Sequence, residues 1–157
     1  MIGLLQRVTS AQVEVAGERI AAIGGGLLVL IGVQRGDSEA TAERLLQRLL
    51  HYRLFADAAG RMNRSLIDIA GDLLLVPQFT LAADTTRGNR PGFSPAAAPD
   101  EGERLFYHLL TQAVQLHHRV AAGRFGADMQ LSLCNDGPVT FWLEVPPPAA
   151  TDNGASR

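Results

Sequence analysis

The run Asn135-Asp136-Gly137-Pro138-Val139-Thr140 is where this chain can bring bare backbone to a ligand. Glycine allows close approach and unusual dihedrals, while proline fixes φ and removes a donor, so the pair leaves carbonyl oxygens aimed in set directions. A plain tight turn is the ordinary account of such a run. A second candidate is Pro77-Gln78-Phe79-Thr80, which places polar groups where the apolar run Leu73-Leu74-Leu75-Val76 ends. A third is Arg87-Gly88-Asn89-Arg90, whose two guanidiniums suit bidentate phosphate contacts and stacking on bases. Arg61 and Arg64 form a similar pair, although a solvated surface role accounts for any single one of them.

The familiar catalytic sets are missing. His117-His118 is a bare pair without metal-ligand spacing, and adjacent side chains on a helix diverge. There is no Gly-x-Ser-x-Gly elbow, no phosphate loop and no dinucleotide fingerprint. Thr80 carries a hydroxyl, but no base can be assigned to it. All 14 basic residues are arginine, which excludes Schiff-base lysine chemistry. A net charge of −2 argues against a protein that coats nucleic acid, so any RNA contact has to be local. Cys134 is the single cysteine, and in an alternating strand it reads as core filler. No cofactor or metal is expected.

These residues need rigid elements to hold them. With 157 residues, 46% of them hydrophobic, the chain can bury one sizeable core. Strands are expected near 2–8, 11–16, 19–23 and 27–33. A helix follows, capped by Asp37 or Ser38, with Ala42, Leu45, Leu46, Leu49 and Leu50 on one face up to about Leu54. Residues 57–61 break it. A strand at 72–76 and a long loop at 82–98 lead to a second helix from Pro99, striped by Phe106, Leu109, Ala113, Leu116 and Val120 and ended by Gly123. Period-two alternation on either side of the Asp-Gly-Pro run predicts a final hairpin of strands 127–134 and 139–145. Residues 146–157 are Pro- and Ala-rich and are expected to be a disordered tail behind a single domain of residues 1–145. No run is long and apolar enough to span a membrane and no signal-like start is present, so the expected compartment is the cytoplasm.

Together with Leu5-Gln6-Arg7-Val8, Ile31-Gly32-Val33 and Gly123-Arg124-Phe125-Gly126-Ala127-Asp128-Met129, the motifs resemble the D-aminoacyl-tRNA deacylases in order and spacing, up to about Val145. The resemblance implies an α/β fold with β-sheets packed face to face and helices on one side, working as a homodimer. It implies hydrolysis of the ester of D-aminoacyl-tRNAs, and of glycine mischarged on alanine tRNA, with L-aminoacyl-tRNAs rejected. In it Gln78, Phe79 and Thr80 are the catalytic segment, with main-chain N–H groups of Phe79 and Thr80 facing the substrate carbonyl. Pro77 stands where the family has serine. A cis Gly137–Pro138 unit from a partner subunit is the chiral filter, oriented by Arg7. Arg87, Arg90, Phe125 and Met129 are the candidate tRNA contacts. The expected partners are the 3′ end of aminoacyl-tRNA and a second copy of the chain, without membrane or DNA. Two rivals are a related editing deacylase for small L-aminoacyl-tRNAs, with a trans Gly-Pro bond, and a non-catalytic RNA-binding protein of the same fold.

Overall fold

The computed structural model describes residues 1–148. Three antiparallel strands open the chain: β1 (Ile2–Val15), β2 (Glu18–Ile23) and β3 (Gly26–Gly32). After a helix α1 (Glu39–His51), a small hairpin of β4 (Phe55–Ala56) and β5 (Met62–Arg64) and one helical turn α2 (Leu66–Ile69), strand β6 (Asp72–Pro77) joins β3 in parallel. Helix α3 (Pro99–Leu116) then leads to β7 (Val120–Ala122), parallel to β6, and to β8 (Gln130–Glu144), antiparallel to β1.

One edge of β1 is covered by β8 throughout. Along the other edge, Ile2–Val8 pair with β3 and Ala11–Val15 pair with β2. The sheet therefore divides near Val8, and its β1–β2 end folds back over β6 and β7. Val8, Ala11 and Val13 meet Leu28, Leu74 and Val76 in a core between the two layers. On the opposite face Leu27, Val29, Ile31, Leu73 and Leu75 meet α1 and α3. Strands β3 and β6 are thus buried on both sides, which is why they read as unbroken apolar runs.

Both helices lie on that opposite face. Ser38 caps α1, its hydroxyl accepting from the Thr41 N–H at 3.3 Å, while the Thr41 hydroxyl accepts from the Ser38 N–H at 3.2 Å. Leu45, Leu46, Leu49 and Leu50 are buried as their spacing predicts. Asp37, instead of capping, secures the start of the chain. Its carboxylate binds the Met1 amine at 2.7 Å and the Gln34 N–H at 2.7 Å, and the Met1 ammonium and Asp37 side chain are both fully buried.

Several expectations are corrected. The face-to-face layers are parts of one hydrogen-bonded sheet, not separate sheets. Residues 2–15 form one strand. In place of the expected hairpin, residues 130–144 are a single strand whose two halves both pair with β1, so the Asp-Gly-Pro run is a bulge within a strand. Helix α1 stops at His51 because Tyr52 turns extended. Helix α3 stops at Leu116, seven residues before Gly123, so Val120 belongs to a strand and Leu116 is half exposed. His117 lies beyond the helix end, buried, with Nε2 2.6 Å from the Gly71 carbonyl, and its ring packs on His118 at 5.0 Å instead of diverging. Cys134 is exposed, not core. Of the expected tail, residues 149–157 lie outside the described residues, and Pro147 is half-buried beside Gly36.

Candidate active site

Strand β6 ends where its backbone stops pairing. The Gln78 N–H still reaches the Ile31 carbonyl at 2.7 Å, after which the chain tightens into a 3-10 helix over Phe79–Ala82. Gly32 makes room for this turn, since a Cβ there would lie 2.9 Å from the Leu81 Cβ and 3.3 Å from the Gln78 oxygen. The Leu81 and Ala83 N–H groups return to the Gln78 and Thr80 carbonyls at 3.2 and 3.1 Å. The N–H groups of Phe79 and Thr80 precede the first internal donor, the Leu81 N–H, and they have no partner among the described residues. Two adjacent donors therefore stand free at an exposed corner. The Gln78 amide donates to the Thr80 hydroxyl, and no histidine or carboxylate among the described residues bonds that hydroxyl.

A cleft of about 450 Å³ opens beside Phe79, while Thr80 stands next to it without lining it. Gln78 and Phe79 line one side, and Phe125, Met129 and Leu131 line the other, so the cleft is largely apolar with the Gln78 amide at its edge. The Phe125 N–H donates to the Tyr107 hydroxyl at 3.3 Å, and Met129 Sδ accepts from the Arg124 N–H at 3.4 Å, which fixes this wall against α3. Gln78, Phe79, Phe125 and Met129, scattered over some fifty positions, thus meet in one place.

Arg87 and Arg90 occupy a loop closed at its base by two backbone bonds between Asp84 and Gly92, at 2.7 and 3.0 Å. The hydroxyl and N–H of Thr86 both donate to the Asp84 carboxylate and hold its pKa below the usual carboxylate range. Beyond the loop, Phe93 packs on Phe79 with ring centroids 5.1 Å apart, which moors the arginines near the cleft mouth. Arg61 and Arg64 are differently placed: Arg61 faces Asp57 at 3.7 Å, and Arg64 donates to the Asp68 carbonyl at 2.9 Å.

The Gly-Pro turn is built on β8. Gln6 of β1 pairs with Thr140 and Val8 with Asn135, so Asp136–Val139 are pushed out of the ladder. Gly137 has φ +143°, and the Gly137–Pro138 peptide is cis, the isomer the resemblance implies. Arg7 sits under the turn, donating through Nε to the Asp136 carbonyl at 3.0 Å and through Nη1 to the Leu54 carbonyl at 2.8 Å. Asn135 closes it from the other side: its Oδ1 accepts the Val139 N–H at 2.8 Å and its Nδ2 donates to the Thr140 hydroxyl at 2.9 Å. Gly137 and Pro138 are exposed and do not line the cleft of their own chain. Sequence reasoning had no role for Asn135, Tyr107 or Phe93. Asn135 was visible only as the first residue of the Asn-Asp-Gly-Pro-Val-Thr run, whereas the partners of Tyr107 and Phe93 are long-range and leave no local signal.

Residues 4–144 match the family described as D-Tyr-tRNA(Tyr) deacylase. A protein of Nitrosococcus oceani named D-aminoacyl-tRNA deacylase is 64% identical over 151 residues, covering 96% of this chain and 97% of its own. One of the same name from Thioalkalivibrio sulfidiphilus is 66% identical over 148 residues, covering 94% and 99%. Among solved structures, one titled c-Myc DNA Unwinding Element Binding Protein superposes with a TM-score of 0.89 at 38% identity, over 93% of this chain and 99% of that one. A probable eukaryotic D-amino acid tRNA deacylase shares the fold at a TM-score of 0.77 and 20% identity, over 92% and 98%.

Proposed function

Since the chain belongs to the D-Tyr-tRNA(Tyr) deacylase family, we propose that its cleft and free backbone donors hydrolyse the ester joining a D-amino acid to the terminal ribose of tRNA. The observation that carries the mechanism is the pair of unpartnered N–H groups at Phe79 and Thr80. An aminoacyl ester is already activated, so hydrolysis requires a positioned water and donors for the oxyanion that forms as it attacks the carbonyl. Fixed backbone dipoles need no reorganisation at that moment. The Gln78 amide holds the Thr80 hydroxyl as an acceptor, which leaves Thr80 without a base and assigns it a supporting role. Loss of the family's serine hydroxyl at Pro77 leaves the Phe79 and Thr80 donors in place.

Stereochemistry is then a matter of space. Carbonyls of Gly137 and Pro138 crowding one face of the substrate Cα leave room for hydrogen and none for an L side chain, whatever that side chain is. D-aminoacyl esters enter, and so does glycine mischarged on alanine tRNA, which offers nothing to reject. The turn stands apart from the cleft of its own chain, which supports a filter supplied by a second copy and a homodimer as the working unit. The substrate places this work in the cytoplasm. Arg87, Arg90, Phe125 and Met129 hold the 3′ end.

The test is turnover of D-tyrosyl-, L-tyrosyl- and L-alanyl-tRNA against buffer. D-selective hydrolysis is expected. Equal hydrolysis of small L-aminoacyl-tRNAs would support the editing rival, and binding without turnover the non-catalytic one.

A further inference from the structure

Phe79 and Phe93 are 59% and 41% exposed, yet they pack on each other with rings 5.1 Å apart and tilted by 47°. Single apolar side chains on a surface are ordinary, but a mutually packed aromatic pair beside free cations is not. Arg7, Arg61, Arg104 and Arg119 are each ion-paired, whereas Arg87 and Arg90 have no such partner among the described residues. The platform is also held in advance. Asp84 and Gly92 close the loop just before Phe93, and the Phe93 carbonyl accepts the Ala96 N–H at 3.1 Å, so little ordering is left for binding.

We propose that Phe79 and Phe93 form a stacking platform for an unpaired base at the 3′ end of tRNA, with Arg87 and Arg90 on the adjoining phosphates. The inference rests on the deacylase reading, because it is the Phe79 N–H at the ester carbonyl that brings the Phe79 ring within one nucleotide of the terminal ribose. Every base has a π-face, so such a platform holds tRNAs without reading their sequence. It also gives an acidic protein a local means of holding a polyanion that its net charge of −2 repels at long range.

The probe is uncharged tRNA, intact and trimmed of its unpaired 3′ nucleotides, titrated against wild type, Phe93→Ala and Phe93→Trp, alongside kcat and KM for D-tyrosyl-tRNA. Phe93→Ala is expected to weaken intact tRNA about tenfold and to raise KM by the same factor, with kcat within about twofold. Phe93→Trp restores both, and trimmed tRNA binds wild type and variant alike. Arg87→Gln should reduce the salt slope of intact tRNA binding by about 0.7. Equal binding of intact tRNA by wild type and Phe93→Ala overturns the proposal. So does a loss shared by trimmed tRNA, or a change of oligomeric state in Phe93→Ala, which would make the pair a subunit contact. If wild type binds tRNA but turns over no ester, the deacylase reading fails, while the binding comparison still decides the platform.

Discussion

At Gly137 space and dihedral forbid a side chain together. A Cβ would stand 2.6 Å from Val139 Cγ2 and 2.9 Å from the Val139 nitrogen, at a φ of +143°. Gly137→Ala should therefore cost roughly 1–3 kcal/mol of stability, visible as a lowered thermal midpoint, and should displace the neighbouring carbonyls. Paired assays are expected to show most D-tyrosyl-tRNA activity lost or L-tyrosyl-tRNA newly cleaved; unchanged selectivity would make the turn merely structural. Thr80→Ala is a different kind of change, because the N–H survives and only the hydroxyl bonded to Gln78 goes. A loss of roughly 1–2 kcal/mol, about tenfold in kcat/KM, is expected. Abolished turnover in a folded Thr80→Ala protein would reinstate Thr80 as a nucleophile. Arg7 ties three segments through the Leu54 and Asp136 carbonyls, so Arg7→Ala should lose activity well beyond its roughly 1–3 kcal/mol of stability, measured by kcat/KM beside denaturant unfolding.

Strand β8 shows what a local pattern can and cannot tell. The alternation of Met129–Leu133 and of Val139–Val145 was legible, and so was the Gly-Pro turn between them. Their pairing was not, because an Asp-Gly between two alternating runs is the signature of a hairpin, and only tertiary contact with the long β1 turns it into one bulged strand. The α1 face was legible for the same local reason, and Val120 was misassigned because an apolar residue at helical spacing is also a good strand residue after the turn at His117. Cleft residues Gln78 and Phe79 were reached through the end of a core strand, whereas Tyr107 and Phe93 act through partners distant in sequence. The arginine loop has its own titration. Thr86 lowers the Asp84 pKa, so the loop's closure is fully supported above the ordinary carboxylate range and is lost only as pH falls through that depressed value. Hydrogen exchange at the Thr86 amide should stay protected between about pH 8 and 5 and weaken only in stronger acid.

For the molecule as a whole, the proposed homodimer, with its turn set apart from the cleft of its own chain, implies that activity is a property of pairs. Coexpressing Gly137→Ala with a cleft variant such as Phe125→Ala should restore about a quarter of wild-type turnover, since half of randomly formed pairs carry one intact site of two. Two variants that stay inactive together would place both pieces in one subunit's service. The exposed thiol of Cys134, one residue before the Asn135 clamp and alone of its kind in 157 residues, opens a practical route to watching this turn. A maleimide dye attaches there with a stoichiometry of one and needs no engineered position. Lysine is absent and the Met1 amine is buried against Asp37, so amine-directed reagents leave the surface unmarked. A second dye can then be carried by the tRNA alone, and energy transfer between the two would report arrival of the acceptor end at the turn in real time.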